Sequence, residues 1–282
     1  MVVTGATGGL GAAIVSALTA AGCDVVAVVR SAARFDALKA TLPTRGKLDL
    51  VVGDLGMAAG VAAVGATLAA RPGTIDVLIN NAGVHAFSQR ITGDGLPVMV
   101  AVNHVAPFVL THALLPRLRE SQGRIVNVAS DAHRRVKTLS LPDDLTSTSP
   151  FGAVASSQLY SRSKLLSVLF TRALARRLEG SGVTVNSGCP GLNTTGLGRE
   201  HRGFAALARV FRALGLFPPE RGARIVSRLA LDSSLSATSG QHFSASGEVK
   251  PATPLVRDVE LQERLWEATA SLPALAALGE FA

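Results

Sequence analysis

Cysteine, tyrosine and lysine are scarce in this chain of 282 residues, which has two cysteines, one tyrosine and five lysines. Cys23 and Cys189 are too few for a disulfide framework, and the six scattered histidines form no Cys/His cluster with zinc spacing. Aromatic residues make up only 4%, and the basic residues behind the net charge of +8 are spread along the chain. A nucleic-acid surface needs clustered basic residues interleaved with aromatics. We therefore expect neither a metal site nor a nucleic-acid partner.

Long apolar runs are also missing. None reaches the roughly 18 residues that a membrane-spanning helix needs, and no basic segment leads into an apolar one at the start of the chain. The sequence therefore predicts no integral membrane segment. In the absence of an export signal, we expect a cytoplasmic protein.

Apolar residues, by contrast, are abundant at 48%, and short β-branched segments alternate with helical patterns such as Leu10, Ile14 and Leu18. Near-continuous apolarity is typical of parallel strands that are covered on both faces. The predicted strands are Val2–Thr4, Val25–Val29, Leu48–Val52, Val77–Asn80, Ile125–Val128 and Val183–Ser187. We predict an α/β fold of the Rossmann type, with a doubly wound parallel sheet in three layers, as a single domain over residues 1–282.

The first predicted strand runs directly into a glycine-rich turn and an amphipathic helix. Glycines let the backbone turn tightly and approach a pyrophosphate, while the start of the helix offers free N–H groups and a positive dipole end. This pattern predicts a dinucleotide-binding turn. Its candidate residues are Gly5, Thr7, Gly8, Gly9, Leu10 and Gly11.

The end of the second predicted strand carries an arginine where NAD-binding proteins have an acidic residue. An acidic side chain at this point would bond the ribose 2′-OH of NAD, whereas an arginine accommodates the 2′-phosphate of NADP. The strand ends at Arg30 and Ser31, and Asp24 lies at its start, which is the wrong end. We predict NADP(H) in preference to NAD(H), with Arg30 and Ser31 on the phosphate.

Candidate catalytic residues follow the fifth predicted strand. Tyr160 and Lys164 lie one helical turn apart, and a nearby ammonium favours ionisation of a phenol, so we expect Lys164 to lower the pKa of Tyr160. Such a tyrosine can act as a general acid or base. Ser130 ends the fifth strand, where the ligand crevice of a parallel sheet opens, and its hydroxyl can polarise a carbonyl.

Two long segments interrupt the alternation of strands and helices. Asp131–Ser157 is polar, and a loop of that length inside a compact domain is usually functional. Thr194–Pro219 carries the basic, apolar stretch Phe204–Phe217, which we interpret as an amphipathic lid, the alternative being a membrane-surface helix. We expect residues 131–157 and 194–219 to border the substrate cleft.

Taken in order, these residues resemble the short-chain dehydrogenase/reductase family over essentially the whole chain. Thr4–Gly11 is similar to the family's T-G-x-x-x-G-x-G, and Asn80–Gly83 matches its N-N-A-G. The resemblance implies that Asn103 joins Ser130, Tyr160 and Lys164 in a catalytic tetrad, where it orders a water near the lysine. It also implies that Lys164 and Tyr160 contact the nicotinamide half of the cofactor. Further implied cofactor contacts are Asp54, Leu55, Asn81, Ala82, Gly83, Pro190, Gly191 and Thr194.

The subgroup that the chain resembles most is the retinol dehydrogenase and WW-domain oxidoreductase type. It shares Ser130–His133 and the long segment that follows, with Asp143–Leu145 inside it. One departure is Cys189, which stands where that subgroup usually has histidine before Pro-Gly. The resemblance implies that the long segment borders the substrate pocket.

We predict an NADP(H)-dependent oxidoreductase that interconverts a carbonyl and an alcohol on a small, apolar substrate. The family often pairs through the helices after strands four and five, so we expect a homodimer. A non-catalytic NADP(H)-binding regulatory protein is the alternative, but it would need a broken tetrad, and the tetrad is intact. Gly5, Gly8 and Gly11 also fit the G-x-x-G-x-x-G of nucleotide-sugar enzymes, although Asn80–Gly83 and the segment after Ser130 argue against that branch.

Overall fold

The computed structural model describes residues 1–42, 45–191 and 218–279, which form one parallel sheet with helices on both faces. Its seven strands are β1 (Val2–Thr4), β2 (Val25–Val29), β3 (Leu48–Val52), β4 (Val77–Asn80), β5 (Arg124–Val128), β6 (Thr184–Gly188) and β7 (His242–Phe243). They lie in the order β3-β2-β1-β4-β5-β6-β7. The direction of winding reverses between β1 and β4, which is where open parallel sheets bind ligands. The predicted Rossmann-type fold is confirmed.

Apolar continuity located the strands well because both faces of the sheet are covered. The first four strands have the predicted bounds, β5 begins one residue earlier than predicted, and β6 is shifted by one residue at both ends. The strand β7 was not predicted. It has only two residues, and its pairing partners Ser187 and Gly188 are distant in sequence.

Helices cover the two faces of the sheet unequally. They are α1 (Gly9–Ala20), α2 (Ala32–Lys39), α3 (Ala58–Ala69), α4 (Val98–Glu120), α5 (Asp143–Thr146), α6 (Ala153–Arg177), α7 (Pro219–Leu231), α8 (Pro254–Arg257) and α9 (Val259–Ala270). One face packs against α1 and α7, and the other against α3, α4 and α6. The helical repeat Leu10, Ile14 and Leu18 is buried in the first of these layers.

The helix α4 is apolar enough to be mistaken for a membrane span. In the part of the chain that the structure describes, α4 is the single helix long and apolar enough to cross a bilayer. However, 72% of its most apolar stretch is buried inside the protein. A helix that is apolar on all sides is expected in the core of a large protein as well as in a membrane. The absence of an integral membrane segment stays a prediction.

The C-terminal helix α9 covers the outer side of α4 and α6. Trp266 of α9 is 6% exposed, with its ring 5.1 Å from Phe108 of α4 and 6.0 Å from Phe170 of α6, measured between centroids. The Arg177 guanidinium lies 3.9 Å from the centre of the Trp266 ring, a cation–π contact. The predicted homodimer through α4 and α6 stays a prediction.

The structure describes the first of the two long segments and only the last residues of the second. Asp131–Ser157 is structured, with a 3₁₀ helix at Asp131–Arg135 and the short helix α5, and an ion pair of 2.7 Å between Asp144 and Arg162 fastens it to α6. The predicted lid at 194–219 lies outside the described residues apart from Pro218 and Pro219, which open α7.

Candidate active site

Four strand ends meet at one edge of the sheet and carry most of the predicted site. Gly5 follows β1, Asn81 follows β4, Ser130 follows β5 and Cys189 follows β6. Because all strands are parallel, their carboxyl ends face the same crevice. The topology therefore gathers residues that lie more than a hundred positions apart.

The glycines of the first turn serve two different purposes. Gly5 has a φ of +64°, and a Cβ there would lie 2.9 Å from Ala82 Cα. A Cβ on Gly11 would overlap the Gly5 carbonyl oxygen, so both glycines allow the turn to pack against the strand end. A Cβ on Gly8 would meet only Gly5 O, at 3.4 Å. Gly8 therefore leaves open space beside the turn.

The start of α1 is left open for an acceptor. The helix begins at Gly9, its N-cap Gly8 makes no side-chain capping bond, and its first turn contains no acidic residue. The first N–H groups of a helix have no partner within the helix, and the dipole makes that end positive. Thr7, Gly9 and Leu10 lie in this segment as predicted, with Leu10 buried beneath it.

The N-N-A-G segment is fastened to the glycine turn by Thr4, a residue that was not predicted as part of the site. Thr4 Oγ1 accepts hydrogen bonds from Asn81 N at 3.0 Å and from Ala82 N at 2.9 Å, and Asn81 Nδ2 donates to Thr4 O at 2.8 Å. Within the part of the chain that the structure describes, Asn81 Oδ1 is buried without a hydrogen-bond partner. An orphaned acceptor of this kind calls for a donor.

The residues predicted to contact the adenosine half lie further along the same edge. Arg30 is exposed directly after β2, and Ser31 is the N-cap of α2 without a side-chain capping bond. Asp54 is exposed after β3, and its Oδ1 accepts from Gly56 N at 3.0 Å. Leu55 is 8% exposed and belongs to the core.

The segment after β6 reaches the opposite side of the crevice. Gly191 has a φ of +74°, and a Cβ there would lie 3.0 Å from the Ala245 Cβ. Pro190 is half-buried beside it. Thr194, the third residue predicted here, lies outside the described residues.

Asn103 and Lys164 meet near Gly83, and Lys164 also lies close to Tyr160, which has Ser130 beside it. The Ser130 hydroxyl is near enough to the Tyr160 phenol to lower its pKa. Lys164 Nζ donates to Val128 O at 2.9 Å and lies 5.7 Å from the centre of the Tyr160 ring. A Cβ on Gly83 would lie 3.4 Å from Asn103 Oδ1 and 3.6 Å from Lys164 Nζ.

The prediction that Lys164 lowers the pKa of Tyr160 is wrong, because the pKa of Tyr160 is raised. Burial raises the pKa of Tyr160 above its ordinary value, with a smaller contribution from Cys189, and the nearby Ser130 hydroxyl offsets only part of that rise. Burial also lowers the pKa of Lys164 to about 8, because the buried ammonium has only a carbonyl as its close partner. The phenol therefore keeps its proton at neutral pH.

Asn103 lies in a turn of π helix, Ala101–Val105, within α4. Its Nδ2 donates to Val84 O at 3.0 Å and to Ser163 Oγ at 2.9 Å, and its Oδ1 accepts from Val84 N at 2.8 Å. A cavity of about 10 Å³ adjoins it, lined by polar side chains including Asn80, Asn103, Asn127 and Ser167. That space is about what one buried water needs.

The chain is similar in sequence to known dehydrogenases. Residues 1–139 match the family described as short chain dehydrogenase. Dehydrogenase/reductase SDR family member 13 of Bos taurus is 35% identical over 282 residues, covering 97% of this chain and 73% of its own length. Retinol dehydrogenase 11 of Homo sapiens is 34% identical over 281 residues, covering 98% of this chain and 86% of its own. The chain belongs to the short-chain dehydrogenase/reductase family.

A solved structure agrees with this assignment. A crystal structure of a protein from Mycobacterium Paratuberculosis superposes with a TM-score of 0.73 at 27% identity, covering 96% of this chain and 91% of that one. As a short-chain dehydrogenase/reductase, the protein is an NAD(P)-dependent oxidoreductase that acts on CH–OH groups, and the predicted enzyme class is confirmed.

The residues of the crevice fit such a cofactor. Gly8 leaves space beside the open start of α1, which suits a pyrophosphate. The unpartnered Asn81 Oδ1 offers an acceptor next to that turn. The Lys164 ammonium borders the space over Gly83, where a ribose hydroxyl can accept from it.

Sequence reasoning missed an aromatic stack against the catalytic tyrosine. The His85 ring lies 4.6 Å from the rings of both Tyr160 and Phe87, at interplanar angles of 24°. His85 Nε2 is 2.7 Å from Ser156 Oγ, and that hydroxyl donates to Ala86 O at 2.9 Å. One indication in the sequence that His85 belongs to the site is its position two residues after the N-N-A-G segment.

A second group of unforeseen neighbours is Asp131, His133 and His242. One potential ligand atom from each lies within 4.8 Å of the others. The expectation that no metal site exists rested on sequence spacing, which cannot detect a cluster assembled from β5 and β7. Within the described residues, this cluster lies beside Ser130.

The different roles of Gly8 and Gly11 can be separated by substitution. Gly8→Ala should fold normally but weaken NADP(H) binding at least tenfold, because its methyl group enters the open space beside the turn. Gly11→Ala should lower the unfolding temperature, because its methyl group overlaps the Gly5 carbonyl oxygen. Calorimetric titration and thermal unfolding measure the two effects. Wild-type NADP(H) affinity in a folded Gly8→Ala variant would contradict the assignment.

Proposed function

We propose that the protein is an NADP(H)-dependent reductase that interconverts apolar carbonyl compounds and their alcohols. The observation that carries this proposal is the Ser130 hydroxyl beside the buried Tyr160 phenol at the carboxyl edge of the sheet, where burial keeps the phenol protonated. A protonated phenol beside a second hydroxyl is suited to receive a carbonyl oxygen. When bound, the nicotinamide supplies or accepts the hydride.

Ser130 and Tyr160 perform complementary parts of the reaction. Ser130 Oγ accepts from Ala132 N at 3.2 Å, and its own hydrogen can turn from Tyr160 to a substrate oxygen. Tyr160 donates the second hydrogen bond and transfers its proton to that oxygen as the carbonyl is reduced. In alcohol oxidation the same proton returns to Tyr160 Oη.

Lys164 and Asn103 act behind this pair. With a pKa of about 8, the Lys164 ammonium can give up and regain a proton near neutral pH, and we assign it the resupply of Tyr160. The small cavity beside Asn103 has polar and apolar walls and room for one water, and we place the water of the proton relay there. The same ammonium is placed to hold the ribose hydroxyls of the cofactor.

The preference for NADP(H) rests on Arg30. Gly5 N donates to Val28 O at 3.1 Å, so the end of β2 lies directly beside the phosphate-binding turn. Arg30 is exposed at this point, where its guanidinium can form paired hydrogen bonds with a phosphate. The segment from Val25 to Ser31 carries no acidic residue that would bond a 2′-hydroxyl.

An apolar substrate is supported by the stack of Phe87, His85 and Tyr160, which forms an aromatic wall leading to the reacting phenol. Aromatic faces favour flat or apolar groups. Human retinol dehydrogenase 11 and its similar relatives are named for an apolar alcohol, and we propose a substrate of that class, an apolar primary alcohol or its aldehyde.

We also propose that the chain acts as one domain in the cytoplasm on a small molecule, with residues 131–157 bordering the cleft. The bond between Ser156 and His85 supports the last point, because it joins that segment to the aromatic wall. The proposed lid, 194–219, would close the remaining side.

Removal of one oxygen atom tests the catalytic assignment. Tyr160→Phe should lower kcat for aldehyde reduction about 10²- to 10⁴-fold, the usual contribution of a general acid, while NADPH affinity changes little. Ser161→Ala is the matched control, because it removes a neighbouring hydroxyl that donates only to the helix carbonyl of Ser157. NADPH oxidation with an apolar aldehyde measures both variants. A Tyr160→Phe variant that is as fast as wild type would falsify the proposed chemistry.

Reversal of one charge tests the nucleotide preference. Arg30→Asp should weaken NADPH binding and shift the ratio of NADPH to NADH affinity at least tenfold towards NADH, because a carboxylate repels the 2′-phosphate. Arg45→Asp makes the same charge change at an exposed position near Thr19, on the opposite edge of the sheet, and should leave the ratio unaltered. A ratio that is equal in both variants would refute the role of Arg30.

A further inference from the structure

The Asp131, His133 and His242 cluster joins the turn after β5 to β7. Asp131 is the residue after Ser130, and His242 is the first residue of β7. His242 Nε2 is 3.1 Å from Asp131 Oδ1, and the rings of His133 and His242 meet edge to face with centroids 4.6 Å apart. Both histidines are buried, at 2% and 7% exposure, whereas the Asp131 side chain is 42% exposed. The cluster is therefore buried on the side of the two histidines and open to solvent on the side of Asp131.

Each histidine is oriented by a second hydrogen bond through Nδ1. His133 Nδ1 lies 2.7 Å from Ser130 O, a carbonyl that can only accept, so the proton is on Nδ1 and the lone pair is on Nε2. His242 Nδ1 lies 2.9 Å from Ser187 Oγ, which can accept its proton. Histidines that bind metals are oriented in this way, by a carbonyl or hydroxyl on the nitrogen that does not bind.

The spacing of the ligand atoms suits a small divalent ion. Zinc binds imidazole nitrogen and carboxylate oxygen at about 2.0–2.2 Å, which places tetrahedral ligands about 3.4 Å apart. His242 Nε2 and Asp131 Oδ1 form a hydrogen bond of 3.1 Å, a separation close to this value, and a bound ion would replace the shared proton. The other separations are at most 4.8 Å, and rotation of the half-exposed Asp131 can shorten them.

The surroundings leave room for the remaining ligands. A cavity of about 120 Å³ is lined by His133 and His242, with Arg134, Arg172 and Lys250 on its wall. These three cations are already engaged. Arg134 donates to Pro251 O at 2.8 Å, Arg172 donates to Gly240 O at 3.3 Å, and Lys250 pairs with Glu248 at 3.3 Å. They would favour an anion or a water as the outer ligand of a bound ion.

We propose that Asp131, His133 and His242 form a binding site for a divalent cation of the zinc class. Two imidazoles and one carboxylate are a ligand set for such ions, which prefer nitrogen to purely oxygen sites. A bound ion would tie the turn after Ser130 to β7, because His133 also holds the Ser130 carbonyl. Binding is independent of turnover, so this proposal and the proposed function can fail separately.

The test uses the full chain, treated with a chelator and dialysed. Calorimetric titration with Zn²⁺ should give one site with a Kd in the micromolar range or tighter, and Co²⁺ should develop visible absorption bands with the same stoichiometry. Zn²⁺ should raise the unfolding temperature, since a ligand that binds only the folded state stabilises it. His242→Phe and Asp131→Asn should each weaken Zn²⁺ binding at least 50-fold.

Control variants make the outcome specific to the cluster. Asp143→Asn changes an exposed carboxylate nearby in sequence, and His112→Phe removes a histidine on α4, so both should bind Zn²⁺ as wild type does. Cys189→Ser should also keep binding. Asp131 is half-exposed and asparagine has nearly the same shape, so we expect Asp131→Asn to fold even if His242→Phe does not. Unchanged affinity in Asp131→Asn, loss only in Cys189→Ser, or no saturable binding to wild type would each overturn the proposal.

Discussion

The buried ammonium of Lys164 is the constraint on which the rest of the site depends. A charge removed from water is expensive unless it has a partner, and here the partner is the carbonyl of Val128 at the end of β5, 2.9 Å away. This bond fixes α6 against the sheet edge and so places Tyr160, one turn earlier, beside Ser130. The same burial lowers the pKa of Lys164 to about 8 and raises that of Tyr160. The site is therefore organised to keep a proton on the phenol, which suits reduction.

The parts of the fold that follow from local sequence were predictable. β1 to β4 have the expected bounds because a strand covered on both faces must be apolar throughout. The glycine turn was equally clear, since backbone overlap at Gly5 and Gly11 leaves no alternative to glycine. Ser130 follows β5 at the carboxyl edge of the sheet, and Tyr160 and Lys164 lie one turn apart on α6, as strand order and helical spacing predicted.

The remaining features depend on the depth of burial or on contacts between distant residues, and neither can be derived from the spacing of residues in the sequence. The spacing of Tyr160 and Lys164 revealed a charge near a phenol, but the sign of the pKa shift depends on how deeply both are buried. The stack of His85 on Tyr160 arises from two separate elements. Trp266 lies far along the chain from Phe108, so the cover over α4 could not be foreseen. His242 and Asp131 are 111 residues apart, which is why their cluster escaped the search for ligand spacing.

The single tyrosine of the chain allows the central claim to be tested directly. Protein labelled with ¹³C at the tyrosine ring carbon that bears the hydroxyl should give one resonance, whose shift reports the protonation of Tyr160 as pH is raised. The account predicts that the phenol of the folded protein stays protonated beyond its ordinary value near pH 10, because burial raises its pKa. A titration with a midpoint well below pH 10 would contradict it, and would show that the charge of Lys164 outweighs burial.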